Sequence, residues 1–153
     1  MTTTDLRERL VREGEARLRE GYHCSEAMLL TLGPLVRQPW DPTYLRLATG
    51  LAGGIGETND DACGALTGGV MVLGAALGRT TVVDDQALMT LVAEFRRRFI
   101  QAYGVSRCGT IRATVIKNEG GLGSCAVLVG QVVSMLYDLL NDAGLIKEDI
   151  QIR

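Results

Sequence analysis

The stretch that decides the fold is Asp60–Gly78, DDACGALTGGVMVLGAALG. Two acids open it, Cys63 follows them, and the remainder is apolar and rich in glycine. Its glycines recur in two GxxxG pairs, at 64–68 and 74–78, which leave a flat helix face where another backbone can approach closely. The apolar run is just short of a membrane-spanning helix. The pattern predicts a buried, glycine-rich central helix that begins at a cysteine.

Helical patterns fill most of the chain on either side of this stretch. The predicted helices are Asp5–Glu20, Cys24–Leu35, Pro42–Leu51, the central helix, Asp85–Tyr103 and Cys125–Ala143. Gly50–Gly56 predicts a glycine-rich turn. The β-branched residues of 108–118 would suit a strand, but no second strand is available to pair with it, so we predict a short irregular helix there. The expected fold is all-α, a single-domain bundle of five or six helices over residues 1–153.

Composition, net charge and the N-terminal residues further restrict the class of protein. The 153 residues are 46% hydrophobic and 22% charged, which is ordinary for one globular domain. The net charge of −2 gives no basic surface for nucleic acid. The first twenty residues are charged and lack the apolar run of a signal peptide, so we expect the reducing cytoplasm. Four cysteines in that compartment serve metal or redox chemistry more often than structural disulfides.

Each of the four cysteines stands at a predicted helix start, just past a capping or breaking residue. They are Cys24, Cys63, Cys108 and Cys125. The unpaired N–H groups and partial positive charge of a helix N-terminus lower the pKa of a cysteine thiol. The two acids before Cys63 oppose this effect, so we expect a weaker lowering there than at Cys125, which has no adjacent acid. Convergence of these helix starts would create a site of four thiols.

The spacing of the cysteines restricts what such a site can be. Successive cysteines are 39, 45 and 17 residues apart, so the chain has neither a CxxC dithiol nor a zinc-ribbon knuckle. Four thiols brought together by the fold would suit zinc or an iron–sulfur cluster. The alternative is four separate buried cysteines that act as small hydrophobic side chains.

Several segments resemble the C_GCAxxG_C_C family of putative redox-active proteins. GYHCSEA at 21–27 is similar to its G-[YF]-x-C-x-x-A segment, and LATGLAGGIG at 47–56 is similar to its glycine-rich turn. CGALTG at 63–68 matches the CGAxxG motif, and Cys108 and Cys125 fall where the last two cysteines are expected. One departure is that Gly109-Thr-Ile follows Cys108, where the family usually continues with a polar, helix-favouring run.

The resemblance implies redox chemistry at the four cysteines. A similar four-cysteine arrangement in split-Soret cytochromes lies beside an iron–sulfur cluster, which implies that Cys24, Cys63, Cys108 and Cys125 bind a cluster, most simply [2Fe–2S], for electron transfer. Selenocysteine in some family members implies the alternative, metal-free thiol–disulfide chemistry at the same residues. A third alternative is a zinc-stabilised or structural protein. Family members beside transporter genes imply a transporter-associated complex as partner, and the GxxxG faces suit either internal packing or a homodimer.

Two other side chains near the cysteines are candidates for supporting roles. His23, the only histidine, adjoins Cys24, but no acidic partner is apparent, so we expect a capping or solvent-facing role. Thr67 lies one turn after Cys63 and could donate a hydrogen bond either to a sulfur or to its own helix, the second being the ordinary behaviour of threonine.

Overall fold

A computed structural model describes residues 2–147 as a bundle of seven α-helices. The helices are α1 (Thr3–Glu20), α2 (Cys24–Val36), α3 (Leu45–Thr49), α4 (Gly64–Leu77), α5 (Gln86–Tyr103), α6 (Cys108–Ile111) and α7 (Cys125–Asp142). A 3₁₀ turn, Pro42–Tyr44, leads into α3, and a π-helix, Arg112–Ile116, continues α6. The all-α class is confirmed. The count of five or six was too low, because α6, which lies in the segment predicted as a short irregular helix, adds a seventh helix to the six that were listed.

The core is shared among several helices, so the prediction of one glycine-rich central helix was inexact. α1 packs along α7, and α2 packs along α4. Burial is most extensive on α2 and α7, whereas α4, which carries the glycines, flanks α2. The largest fully buried side chains include Tyr137, Phe95, Phe99, Met28 and Leu32. Apolar surface removed from water by these contacts is the main source of stability.

Glycines on α4 set how closely its neighbours approach. A Cβ placed on Gly68 would lie 2.5 Å from the carbonyl oxygen of Ser25 and 2.9 Å from Cβ of Met28. A Cβ on Gly69 would collide with the ring of Phe95 from α5. By contrast, a Cβ on Gly74 would meet nothing within 4 Å. The first GxxxG pair is therefore used for packing inside the chain.

The ends of the first and last long helices are fixed by local hydrogen bonds. The Thr2 hydroxyl accepts from the Asp5 N–H at 3.0 Å, and the Asp5 carboxylate accepts from the Thr2 N–H at 3.3 Å. This reciprocal capping box starts α1 two residues earlier than predicted. Ser124 caps α7, as expected, by accepting from the Val127 N–H at 3.3 Å. The predicted tail beyond residue 147 lies outside the described residues.

One described helix, α7, is long and apolar enough to cross a membrane by length and composition. Its mean hydropathy is 1.2, and 56% of it is buried inside the protein. One such helix is weak evidence of a membrane span, because buried core helices pass the same test.

Gly68 and Gly74 offer a matched test of the packing between α2 and α4. We expect Gly68→Ala to lower the free energy of unfolding by about 1–3 kcal/mol, because the backbone of Ser25 must move. Gly74→Ala meets no neighbour and should raise stability by about 0.5–1 kcal/mol, since alanine favours a helix interior. Urea denaturation of both variants measures the difference. Equal effects at the two positions would contradict the close packing described for Gly68.

Candidate redox site at four helix starts

All four cysteines lie at helix starts, as the sequence predicts, and all four are free thiols. Cys24, Cys108 and Cys125 are the first residues of α2, α6 and α7, and Cys63 is the N-cap residue of α4. Cys63 and Cys108 are buried, whereas Cys24 and Cys125 are partly exposed. The site therefore has a closed side and a side that reaches solvent.

A short antiparallel contact holds Cys63 beside Cys108. Ala62 pairs with Arg107 in an isolated β-bridge. The Cys63 N–H donates to the Ser106 carbonyl at 2.7 Å, and the Cys108 N–H donates to the Asp61 carbonyl at 2.8 Å. These two hydrogen bonds hold the start of α4 beside the start of α6, and with them the two buried thiols.

The sulfur of Cys24 lies directly against Gly64, the residue after Cys63. A Cβ on Gly64 would overlap Sγ of Cys24 and would lie 3.3 Å from Cα of Ala52. The glycine of the CGAxxG motif is thus required because the sulfur occupies the space of a side chain. A charge on Cys24 raises the pKa of Cys63, Cys108 and Cys125. The Cys24 thiol is therefore near enough to the other three to act on their pKa values.

The expected lowering of the cysteine pKa values by helix N-termini is wrong for three of the thiols. Burial, helped by the charge of Cys24, raises the pKa of Cys63 to about 12. Burial is also the largest cause of the raised pKa of Cys108 and of Cys125, where we expected a stronger lowering than at Cys63. Loss of hydration opposes the thiolate more strongly than the N–H groups of a helix start favour it. These thiols are protonated in the metal-free protein at neutral pH.

Two exposed cations beside the thiols were not identified from the sequence. The charges of Arg112 and Lys117 lower the pKa of Cys125, and Arg112 also lowers that of Cys108, although burial prevails in both. Arg112 follows Cys108 by four residues, the spacing at which helical side chains share a face. This spacing could have identified Arg112 from the sequence. It was overlooked because 108–118 was predicted as an irregular helix, in which a four-residue spacing is less informative.

The predicted glycine-rich turn lies against Cys108, and its backbone is left-handed. We call Gly50–Asn59 the glycine turn. Five consecutive residues in it, Gly53–Glu57, have φ between +60° and +76°, and Asn59 has φ of +66°. A Cβ on Gly54 would lie 2.9 Å from Cβ of Cys108. The Cys108 thiol donates to Oδ1 of Asn59 at 3.5 Å, and the Asn59 carbonyl accepts from the Gly109 N–H at 2.8 Å.

His23 and Thr67 take the ordinary roles expected of them. His23 is the N-cap residue of α2, and its backbone N–H donates to Oε1 of Glu26 at 3.0 Å. Its Nδ1 lies 3.4 Å from Oε1 of Glu57 in the glycine turn, an acidic partner that sequence reasoning missed. The Thr67 hydroxyl donates to the Gly64 carbonyl of its own helix at 3.3 Å rather than to a sulfur.

The burial of Cys63 predicts a loss of stability in alkali. The pKa of Cys63 in the folded protein is about 12, above the ordinary thiol value of 9.0. The buried thiol therefore contributes fully to the free energy of unfolding below pH 9, and this contribution is lost as pH rises toward 12. In the reduced, metal-free protein, we expect the stability advantage of the native chain over Cys63→Ser to shrink by about 1.4 kcal/mol per pH unit above 9. Urea denaturation from pH 7 to 10.5 measures it. A constant difference would contradict the burial of this thiol.

Removal of the neighbouring cations should make Cys125 less reactive. In the reduced, metal-free protein, Arg112→Gln and Lys117→Gln remove charges that favour the thiolate, so alkylation of Cys125 at pH 8 should slow by roughly two- to fivefold. The effect should fade in high salt because both cations are exposed. Peptide-resolved mass spectrometry measures the rates, with Arg96→Gln on α5 as the control. The same rate in all four proteins would show that these charges do not act on Cys125.

Comparison with known proteins agrees with the motif arrangement. The sequence matches the profile of the family described as "Putative redox-active protein (C_GCAxxG_C_C)" over residues 22–139, a span that contains all four cysteines. No curated protein and no solved structure matches the chain. The match covers well over half of the sequence and confirms the resemblance seen in its motifs, so the chain belongs to the C_GCAxxG_C_C family of putative redox-active proteins.

Proposed function

We propose that this protein transfers single electrons through an iron–sulfur cluster, most simply [2Fe–2S], held by Cys24, Cys63, Cys108 and Cys125. The observation that carries the proposal is that four free thiols stand at four helix starts, with Cys24 close enough to raise the pKa of the other three. Iron–sulfur clusters are characteristically bound by four cysteine thiolates. A bound cluster would supply one reversible electron, and the chain supplies the ligands and their surroundings.

The same four thiols could also bind a single zinc ion, since four cysteine thiolates are a common set of zinc ligands. Within residues 2–147, no group of three or more His, Cys, Asp or Glu side chains is arranged to hold a metal ion, so binding of either metal would require the thiols to move together. The family's description as redox-active favours the cluster over zinc, which has no redox chemistry of its own.

The electrostatics of the site also suit a cationic group. The pKa values of Cys63, Cys108 and Cys125 are raised partly by the charge of Cys24, because thiolates repel one another. Iron would neutralise that repulsion, and its binding would release protons. Arg112 lies beside this negative charge at the surface. The chain thus disfavours bare thiolates at Cys63, Cys108 and Cys125, and a bound cation would relieve their repulsion.

The two sides of the site differ in their exposure to solvent, and we assign them different roles. Cys63 is only 5% exposed, so it shields the interior side from water and oxidants. Cys24 and Cys125 are partly exposed and offer an edge to an electron partner. The proposal places the protein in the reducing cytoplasm, where thiols persist. Association with a transporter complex and homodimerisation stay predictions.

Metal-free thiol–disulfide exchange is the second candidate function. The proximity of Cys24 to three other free thiols favours it, because one attacking thiol could pair with more than one partner. Against it, burial raises the pKa of the other three and reduces the fraction of reactive thiolate. The two candidates use the same residues and differ in whether iron is retained.

Anaerobic purification followed by iron and sulfide assays tests the proposed function. We expect the reduced chain, supplied with ferrous iron and sulfide, to retain both in stoichiometric amounts and to absorb visible light. Each single Cys→Ser change at the four positions should reduce iron retention at least severalfold, because a ligand is lost. Thr67→Val, which removes only a hydroxyl bound to its own helix, is the matched control and should retain the cluster.

A colourless protein that retains no iron would sink the cluster proposal. Titration of free thiols before and after treatment with a mild oxidant then identifies the second candidate. Reversible loss of two thiols would indicate a cycling disulfide. Four thiols that remain unreactive would reject both redox functions and leave a structural protein.

A further inference from the structure

A cleft between α2 and α4 has no role in the proposed function. It has a volume of about 390 Å³ and lies beside the C-terminal halves of these two helices, where the 3₁₀ turn and α3 also border it. We call it the α2–α4 cleft. The four cysteines stand at helix starts, and none of them lines the cleft. The cleft is therefore a separate feature of the fold.

Most of the surface inside the α2–α4 cleft is apolar. The aliphatic and sulfur-containing side chains that line it are Leu29, Leu47, Met71 and Ala75. Leu47 is 69% exposed, so part of this apolar surface faces solvent. Gly74 also lines the cleft, and a Cβ there would meet nothing within 4 Å. The second GxxxG pair thus leaves open space in the cleft, which a ligand with an apolar body would fill.

Two aromatic side chains form one wall of the cleft. Trp40 packs directly on α2, because a Cβ on Gly33 would overlap its indole ring. The rings of Trp40 and Tyr44 meet edge to face, with their centroids 5.1 Å apart. Each ring therefore limits the movement of the other. Small-molecule sites are typically preformed, lined by apolar and aromatic side chains and roughly 300–1,000 Å³ in volume, and the cleft fits this description.

The charge of the cleft is opposite to the charge of the chain. Of the described residues that line it, only Arg37 and Arg79 are charged, although the net charge of the protein is −2. Arg79 is already paired, because its Nη2 lies 3.6 Å from the carboxylate of Asp85. Arg37 donates through Nε to the Tyr44 hydroxyl at 3.4 Å, and no carboxylate within residues 2–147 pairs with it. Its terminal N–H groups form a fork that matches a carboxylate.

We propose that the α2–α4 cleft binds a small organic carboxylate that has an apolar body. The carboxylate accepts hydrogen bonds from the terminal N–H groups of Arg37. The apolar body lies in the space beside Gly74, against the wall formed by Trp40 and Tyr44. The arginine selects an anion, and the apolar walls select against small hydrophilic acids. This inference does not rest on the proposed function, because the cleft contains no cysteine.

Trp40 provides a direct measurement of binding, since it is the only tryptophan in the chain and lines the cleft. Titration of the reduced protein with octanoate at pH 7 should change its fluorescence saturably, with a Kd on the order of 1 mM or tighter. 1-Octanol keeps the apolar body but lacks the charge, so it should bind roughly tenfold more weakly. Isothermal titration calorimetry measures the same affinities without the fluorophore.

Matched variants separate the contribution of the arginine from that of the open space. Arg37→Gln should weaken octanoate binding roughly tenfold and leave 1-octanol binding unchanged. Arg46→Gln removes an exposed cation of α3 outside the cleft and should keep the native affinity. Gly74→Leu fills the open space and should abolish binding of both ligands, whereas Ala93→Leu adds the same side chain to the exposed surface of α5 and should have no effect. Circular dichroism establishes that each variant is folded. If Gly74→Leu does not fold, the surface change at Arg37 still decides the proposal.

The other outcomes each overturn the proposal. No saturable response to octanoate, or the same response in Gly74→Leu, would show that the cleft does not bind this class of ligand. Equal affinity for octanoate and 1-octanol, or native affinity in Arg37→Gln, would show that the cleft does not select an anion. A dimer that sedimentation detects in the native protein but not in Gly74→Leu, with no binding of octanoate, would assign the cleft to a second copy of the chain. None of these measurements depends on iron, so failure of this inference is distinguishable from failure of the proposed function.

Discussion

The contact between the sulfur of Cys24 and the backbone at Gly64 is the constraint on which the rest of the structure depends. Because the sulfur occupies the space of a side chain, the residue after Cys63 has to be glycine. The same contact brings together the starts of α2 and α4, whose packing continues one turn later where Gly68 meets Ser25. Once these two helices are fixed, the bridge between Ala62 and Arg107 adds the start of α6. The CGAxxG motif at 63–68 therefore both allows α2 and α4 to pack closely and supplies Cys63 to the site.

At these helix starts the pKa of the buried cysteines is raised, whereas a single exposed helix start would lower it. An isolated N-terminus favours a thiolate, but four gathered thiols exclude water and repel one another when charged. Desolvation is the larger effect for Cys63, whose pKa rises to about 12. The exposed cations at 112 and 117 offset the effect only at the solvent side. Cys63, Cys108 and Cys125 are therefore held as neutral thiols.

Local patterns in the sequence predicted most of the elements but not the contacts between distant ones. Helix starts at all four cysteines, the capping residue Ser124 and the glycine turn follow from neighbouring residues, so they could be predicted. The bridge from Ala62 to Arg107 spans 45 positions and involves a single residue pair, too short to leave a strand pattern. Burial of the thiols depends on the whole bundle, and for that reason the pKa values were predicted with the wrong sign. The match of the motifs to a known family identified the set of cysteines that spacing alone left uncertain.

The left-handed backbone of Gly53–Glu57 also affects the position of the site. Two non-glycine residues in it, Ile55 and Glu57, together incur roughly 2–4 kcal/mol of backbone strain, a large share of the 5–15 kcal/mol that stabilises a typical domain. Docking on the cysteines offsets this strain, through the hydrogen bonds of Asn59 to Cys108 and Gly109 and the contact of Gly54 with Cys108. These contacts join the turn to the start of α6, so the strained backbone of the turn and the position of Cys108 depend on each other.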